Sequence, residues 1–256
     1  MRIVTWNVNS LNARRDYVSL YLDAESPDVL CLQELKMEAD KVPVEIFEER
    51  GYELAIHGQK SWNGVLIAAK EPISRVEKGL PESDQGQARM IVGEVAGIRF
   101  VNLYCPQGQS VESEQFPYKL SFYDGLCDWL ESSCDPAQPL VVLGDLNVAP
   151  EARDVWSEEK LAGIPSYHPE EHQRWARLTG FGLQDAVVDH VAPGTFSFWD
   201  YRGGAFRFNQ GMRIDHILVT PPLLGRVRSA AIERPWRKKK EGLTASDHAP
   251  VTVTLD

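Results

Sequence analysis

The chain has 256 residues, and its 43% hydrophobic and 25% charged residues are typical of a water-soluble globular protein with a large core. Its formal net charge of −10 excludes a protein that coats nucleic acid through overall positive charge. Any contact with nucleic acid must therefore come from local patches. The acidic surplus also suits a protein that gathers carboxylates around a divalent cation.

The cysteine pattern bears on the compartment. None of the four cysteines forms a C-x-x-C pair, which favours free thiols in a reducing compartment over a disulfide framework or a zinc site. The chain shows no signal-peptide core and no apolar run near the length of a membrane span. We therefore expect a cytoplasmic protein with no membrane partner. The cysteines are Cys31, Cys105, Cys127 and Cys134.

Apolar patterning predicts alternating strands and helices along the chain. Because no internal repeat or linker interrupts them, we expect a single domain over residues 1–256. The predicted strands cover 3–7, 28–34, 52–57, 64–69, 89–95, 98–104, a run beginning at 141, 213–219 and 251–255, and the predicted helices cover 13–24, a long segment after Pro117 and a segment starting at Pro169.

The run that begins at Val141 ends in two polar residues, Asp145 and Asn147, after Gly144. Side chains on a strand alternate, so Asp145 and Asn147 should project to the same side. A carboxylate and an amide at the mouth of a buried strand are costly unless they are used. The alternative is a strand-to-turn junction in which both side chains bond their own backbone.

Other predicted strands end in polar residues in the same way. Asn7 and Asn9 share one strand parity, and the alternative there is a turn. Glu34 could be merely the first solvent-exposed residue after its strand, and Tyr104 a half-buried packing residue. Strand ends of one layered fold come together, however, so these groups can share one cleft. The full set is Asn7, Glu34, Tyr104, Asp145, Asn147, Asp215, Asp247 and His248.

The chemistry of this set is coherent. Carboxylates are hard ligands for Mg²⁺ or Mn²⁺, and a histidine beside a carboxylate can stabilise charge on phosphate oxygens. The chain lacks a nucleophilic Ser or Cys motif, a phosphate-binding G-x-x-x-x-G-K-S/T loop and an H-E-x-x-H zinc helix. Metal-assisted attack of water on a phosphodiester is the reaction class that fits.

Two further segments each allow two interpretations. The stretch 195–208 interleaves aromatic residues with arginines, so it could fill a core or form a rim that stacks on a nucleic-acid component. The stretch 234–240 is the most basic in the chain. It could be a solvated loop or a loop that contacts phosphates.

The ordered motifs resemble the endonuclease/exonuclease/phosphatase superfamily, and more narrowly bacterial exonuclease III-type apurinic/apyrimidinic (AP) endonucleases. The resemblance covers nearly the whole chain, and motifs that are weak singly occur together in the family's order. They are Trp6-Asn7, Leu32-Gln33-Glu34, Tyr104 to Gly108, Gly144 to Asn147, Arg213 to His216 and Ser246 to Pro250.

The resemblance implies a DNase I-like α/β fold, a four-layered sandwich in which two mixed β-sheets pack face to face with helices outside. It implies a Mg²⁺-dependent enzyme of DNA base excision repair, with Mn²⁺ as a substitute. The enzyme would cut double-stranded DNA 5′ to abasic sites and also act on blocked or normal 3′ ends. We expect a monomer. The alternatives are a 3′-end exonuclease with little AP activity and an inactive DNA- or RNA-binding member.

The resemblance also implies roles for individual residues. Glu34 would be the principal metal ligand with Asn7 and Asp247, and Asn9, Asp145 and Asn147 are further candidate ligands. Asp145 would deprotonate the attacking water, and Asn147 would bond that water or the phosphate. His248, oriented by Asp215, would contact the phosphate, and Tyr104 would lie near the leaving group. Lys36, Gln107 and Arg202 are the expected DNA contacts, and Phe198, Trp199, Met212 and Ile214 the expected slot for an abasic sugar.

Overall fold

Twelve strands form two six-stranded sheets, with six α-helices between them in sequence. The computed structural model describes residues 1–256. The strands are β1 (Arg2–Asn7), β2 (Val29–Gln33), β3 (Glu53–His57), β4 (Val65–Ala69), β5 (Ile73–Lys78), β6 (Met90–Val95), β7 (Ile98–Tyr104), β8 (Leu140–Asp145), β9 (Gln184–Asp185), β10 (Asp215–Val219), β11 (Val227–Ile232) and β12 (Val251–Leu255). The helices are α1 (Leu11–Glu25), α2 (Glu45–Glu48), α3 (Gln115–Ser133), α4 (Glu158–Leu161), α5 (Pro169–Gly180) and α6 (Pro221–Leu224).

Both sheets are mixed. The first has the order β11-β12-β1-β2-β4-β3 and the second the order β5-β6-β7-β8-β10-β9. Within them, β1 pairs with β2 and β7 with β8 in parallel. All other pairs are antiparallel.

Strand alternation divides the apolar residues into an inner and an outer core. On β1, Ile3 points to a cluster of 27 buried residues that lies between the sheets. Val4 and Trp6 point the other way and pack against helix α1, where the Trp6 ring lies 5.2 Å from that of Tyr21. The two faces of β1 are thus both buried, as expected for a near-continuous apolar strand.

The second sheet is covered in the same way. On β8, Val141 joins the core between the sheets, and Val142 packs outward against α3 and α5 through residues such as Phe122 and Leu178. Helix, sheet, sheet and helix therefore form four layers. The predicted two-sheet α/β sandwich is observed.

Sequence patterning missed the edge strands β5, β9 and β11. The side chains of β5 after Ile73 are exposed, so the strand shows neither an apolar run nor a clear alternation. Helix α3 begins at Gln115, ahead of Pro117, because proline is tolerated in the first turn of a helix. The aromatic stretch 195–208 contains no regular strand, only bridges at Phe198. None of the helices combines the length and the apolar composition that a bilayer span requires.

Candidate active site

The predicted catalytic and metal-binding residues meet at one end of the cleft between the sheets. Because β7 and β8 run in parallel, their last residues, Tyr104 and Asp145, are paired. Strand β10 runs the opposite way, so its first residue, Asp215, pairs with Asp145 from the other side. The ends of β1 and β2 bring Asn7 and Glu34 to the same opening of the first sheet.

A chain of hydrogen bonds connects the two sheets at this opening. The amide of Asn7 donates to Glu34 Oε1 and to Asp145 Oδ2, both at 2.8 Å. The ring of His248 places Nε2 3.8 Å from the same Asp145 oxygen. Its Nδ1 lies 2.8 Å from Asp215 Oδ2.

The turn after β8 places the carboxylate and the amide together. Gly144 has φ of 139°, and a Cβ atom there would lie 2.0 Å from the carbonyl oxygen of Leu103, so no side chain fits. The backbone of Asn147 has the left-handed conformation. Its backbone N–H donates to Asp145 Oδ1 at 3.0 Å, and its side-chain amide donates to the carbonyl of Cys105 at 3.0 Å. One carboxylate oxygen of Asp145 therefore bonds the local backbone, as the structural alternative proposed, and the other faces the cleft.

Burial and charge set the protonation states of this cluster. Burial raises the pKa of Asp145 to about 7, although the His248 charge opposes it. Burial favours the neutral ring of His248, but Asp215 and Asp145 outweigh it and raise the pKa of His248 to about 10. At neutral pH the imidazole is therefore a cation that can donate from Nε2.

Tyr104 is a hydroxyl donor at the same opening. Burial, together with the charges of Glu34 and Asp145, raises its pKa well above 10, so the phenol stays protonated. Sequence reasoning missed Arg89, whose guanidinium stacks 4.9 Å from the Tyr104 ring centroid and donates to the Tyr104 carbonyl at 3.1 Å. A lone arginine at the start of a strand gave no sign of that contact.

The first sheet presents oxygen ligands suited to a cation. The ammonium of Lys36 lies 2.7 Å from Glu34 Oε2 and 2.6 Å from Asn9 Oδ1. The Asn9 amide donates to Asp247 at 3.0 Å. Burial would raise the pKa of Glu34, but Lys36 and Asn7 reverse this and lower it. The carboxylate of Glu34 and the amide oxygen of Asn9 therefore already bind one cation, the Lys36 ammonium. Oxygens of these types are the ligands of Mg²⁺ in proteins, so the donor set fits a hard divalent ion.

A second group of candidate ligands lies deeper. Asp145, Asp215 and His248 offer ligand atoms within 4.8 Å of one another, so acidic residues and a histidine at this site could hold a metal ion. This group and the oxygens around Glu34 are therefore two candidate positions for the ion.

Three of the four predicted slot residues lie together beside His248. Phe198 packs 4.9 Å from the His248 ring, and Phe198 and Met212 cover a small cluster that includes the buried Ile214. The prediction for Trp199 is wrong. It follows Phe198 directly in an extended segment and so points to the opposite side, where it is fully buried in the core between the sheets.

The predicted DNA contacts occupy different settings. Gln107 is exposed beside the Tyr104 strand end. Arg202 is 90% exposed and forms an ion pair with Asp200 at 2.7 Å. Lys36 is bound to Glu34, so its ammonium is engaged within the site.

The basic stretch 234–240 is mostly occupied by internal contacts. Arg234 stacks on the Phe206 ring at 4.4 Å, and Lys240 lies 4.2 Å from the Trp236 ring. Arg237 is 9% exposed and donates to two backbone carbonyls. The solvated-loop interpretation does not hold for the whole stretch, and contact with phosphates stays a prediction for its exposed cations. The exposed cations are Lys238 and Lys239.

Comparison with known proteins agrees with this geometry. The model of the endonuclease/exonuclease/phosphatase family matches residues 4–248. The chain belongs to this family.

Several known proteins resemble this chain over nearly their full length. Exodeoxyribonuclease III of Haemophilus influenzae is 33% identical, with 98% of each chain covered. The 3′ phosphatase NExo from Neisseria, solved with a product DNA hairpin, is 35% identical, with a TM-score of 0.93 over 100% of this chain and 99% of that one. An AP endonuclease from Archaeoglobus fulgidus is 34% identical, with a TM-score of 0.93 and the same coverage. The predicted family and fold are confirmed.

Proposed function

We propose that this protein is a metal-dependent nuclease of DNA base excision repair. It hydrolyses the backbone 5′ to an abasic site and also removes nucleotides or blocking groups from 3′ ends. The observation that carries the proposal is the continuous chain of contacts from Glu34 through Asn7, Asp145 and His248 to Asp215, beside an apolar slot. The relatives named above act on DNA ends or AP sites, which supports DNA as the substrate.

In the proposed reaction, water attacks the phosphorus and the bond to the upstream 3′ oxygen breaks. Asp145 orients the water and accepts its proton, and Asn147 bonds the water or the phosphate. The His248 cation donates to a non-bridging phosphate oxygen, where negative charge builds up. Tyr104 lies near the leaving oxygen as a protonated donor. The products are a 3′-hydroxyl and a 5′-deoxyribose phosphate.

Mg²⁺ is the proposed cofactor, with Mn²⁺ as a substitute. Glu34, Asn7 and Asp247 would hold it, with Asn9 nearby. When bound, the ion would neutralise charge on the scissile phosphate. Lys36 now lies on the same oxygens and would be released toward the DNA backbone.

The proposed slot accounts for abasic specificity. An abasic sugar has no base to unstack, so flipping it out of the helix is inexpensive. Phe198 and Met212, backed by the buried Ile214, form a small apolar surface beside His248, which would accept the sugar and leave no room for a base. Gln107, Arg202, Lys238 and Lys239 are the proposed backbone contacts.

We further propose a cytoplasmic monomer that acts as a single domain. All four cysteines are free, as suits a reducing compartment. One core cluster draws on residues from Ile3 to Leu255, which supports a single unit over residues 1–256.

The test is cleavage of a duplex with one abasic site in Mg²⁺ and in chelator, with both product termini identified. We expect a cut 5′ to the site in Mg²⁺ alone. The rival activity is a 3′-end enzyme with little AP activity, since the 3′ phosphatase and the AP endonuclease superpose equally well on this chain. Rapid processing of a 3′-phosphate duplex with an uncut abasic duplex would favour that rival. If neither substrate is turned over, the protein would instead be a DNA-binding protein without catalytic activity.

A further inference from the structure

A buried ion pair lies behind the catalytic turn. Lys119 of α3 contacts Glu171 of α5, and both side chains are 0% exposed. Burying two charges costs more than it returns unless their remaining hydrogen bonds are satisfied. This fully buried pair lies next to the turn that carries Asp145 and Asn147. Its position suggests a role for the pair in holding that turn.

The Lys119 ammonium uses its remaining donors on two backbone carbonyls. It donates to the carbonyl of Asn147 at 2.6 Å and to that of Gln107 at 3.2 Å. With Glu171 as the third partner, all three protons of the ammonium are used. One cation thus joins the turn after β8 to the loop after β7.

Glu171 extends the same network to a third segment. Its carboxylate accepts the N–H groups of Ser166 and His168, each at 3.0 Å. The loop before α5 is thereby held against the turn, because the Ala149 N–H also donates to the Ser166 carbonyl at 2.7 Å.

The contact at Asn147 matters most, because that residue has the left-handed backbone conformation, with φ of 51°. Asparagine is among the non-glycine residues that adopt this conformation most readily, and here three contacts hold it in place. The Asp145 carboxylate bonds its N–H, the Cys105 carbonyl accepts from its side chain, and Lys119 binds its carbonyl. Of these three constraints, only Lys119 comes from outside the strand ends.

We infer that Lys119, neutralised by Glu171, is a positioning residue that fixes the Asn147 amide and the Asp145 carboxylate relative to the phosphate. This inference rests on the proposed nuclease function. A misplacement of about 1 Å in a catalytic constellation can cost about 100-fold in rate. Losing the Lys119 contact should therefore slow the chemical step more than it weakens DNA binding, in which Gln107 is only one of several proposed contacts.

The experiment compares Lys119→Met, Lys119→Arg and the double variant Lys119→Met/Glu171→Gln on the abasic duplex. Single-turnover rates are measured in Mg²⁺, DNA affinity in chelator and stability by thermal melting. The wild type is assayed first, so that a failure of the proposed function shows there as no turnover. Arg2→Met, which breaks an ion pair with Glu25 at the opposite end of β1, is the control for destabilisation alone.

We expect Lys119→Met to reduce the rate about 100-fold with less than a threefold change in DNA affinity, and Lys119→Arg to recover part of the rate. The double variant removes the unpaired buried charge, so it should melt closer to the wild type and remain slow. Arg2→Met should melt earlier and cut at the normal rate. A double variant that regains the rate together with its stability, or a Lys119→Met defect confined to DNA affinity, would overturn the inference.

Discussion

The most informative perturbation is Asp215→Asn. Asn Oδ1 can still accept from His248 Nδ1, so the ring keeps its orientation, while the negative charge 2.8 Å from it is removed. His248 should then lose its proton at a lower pH than in the wild type. Because the proposed role of His248 requires the cation, the substitution should change the pH dependence of cleavage as well as its rate.

The size of the effect follows from the pKa of His248, which is raised to about 10 with Asp215 as the largest favourable contribution. Removing an opposite charge at this distance lowers a pKa by about 1–3 units, or about 1.4–4 kcal/mol of preference for the cation. A group with a raised pKa loses its charge as the pH rises. For a fall of about 2 units, roughly one tenth of His248 stays protonated at pH 9.

The assay is kcat/KM from pH 6 to 10 on a duplex with a tetrahydrofuran analogue of an abasic site, which is stable in base. The variant should lose about tenfold more activity between pH 7 and 9 than the wild type. The acid limb, assigned to Asp145 with a pKa of about 7, should move to lower pH, because Asp215 helps to raise that pKa. Asp185→Asn is the control, since the Asp185 side chain is only 9% exposed and lies 3.4 Å from a histidine ring, that of His216. Superimposable alkaline limbs for Asp215→Asn and the wild type would refute the reasoning.

Three further predictions concern metal, salt and the turn. Lys36→Met should raise the affinity for Mn²⁺ up to about fivefold, because a competing ion pair of roughly 1 kcal/mol is removed. Calorimetry without DNA measures this affinity, and unchanged or weaker Mn²⁺ binding would contradict the claim that Lys36 and the ion use the same oxygens. Lys238→Gln/Lys239→Gln should reduce the slope of log affinity against log salt by about 1.8, whereas Lys240→Gln, which loses an ammonium held over an aromatic ring, should change it less. Gly144→Ala should lower the melting temperature and abolish cleavage, because the new Cβ would lie 2.0 Å from a backbone oxygen of the neighbouring strand; normal melting and cleavage would show that the turn tolerates a side chain.

Much of the site could be predicted because strand parity is a local property. Asp145 belongs to the face of β8 that holds Val141 and Leu143, so its direction into the space between the sheets follows from the sequence alone. Which strands are neighbours does not follow from it. The pairing of Asp145 with both Tyr104 and Asp215 needed the sheet order, for which only the family resemblance gave a guide.

The errors arose where a residue's partner is distant in sequence or where regular alternation ends. Phe198 and Trp199 lie outside any regular strand, so the sequence pattern did not show that the chain is extended there and sends their side chains to opposite sides. The basic stretch 234–240 looks exposed, yet the rings of Tyr201 and Phe206, which lie well before it in the sequence, cover Arg234 and Arg237. The pair of Lys119 and Glu171 joins two helices and left no signal in the patterning of either.

The central claim is that Asp145 activates the attacking water, and the most direct test is Asp145→Asn on the abasic duplex. The side chain keeps its shape but can no longer accept a proton as a carboxylate does. We predict that single-turnover cleavage in Mg²⁺ falls at least about 1,000-fold, within the contribution expected of a general base, while DNA affinity in chelator stays within about threefold. Cleavage by Asp145→Asn at close to the wild-type rate would contradict the account.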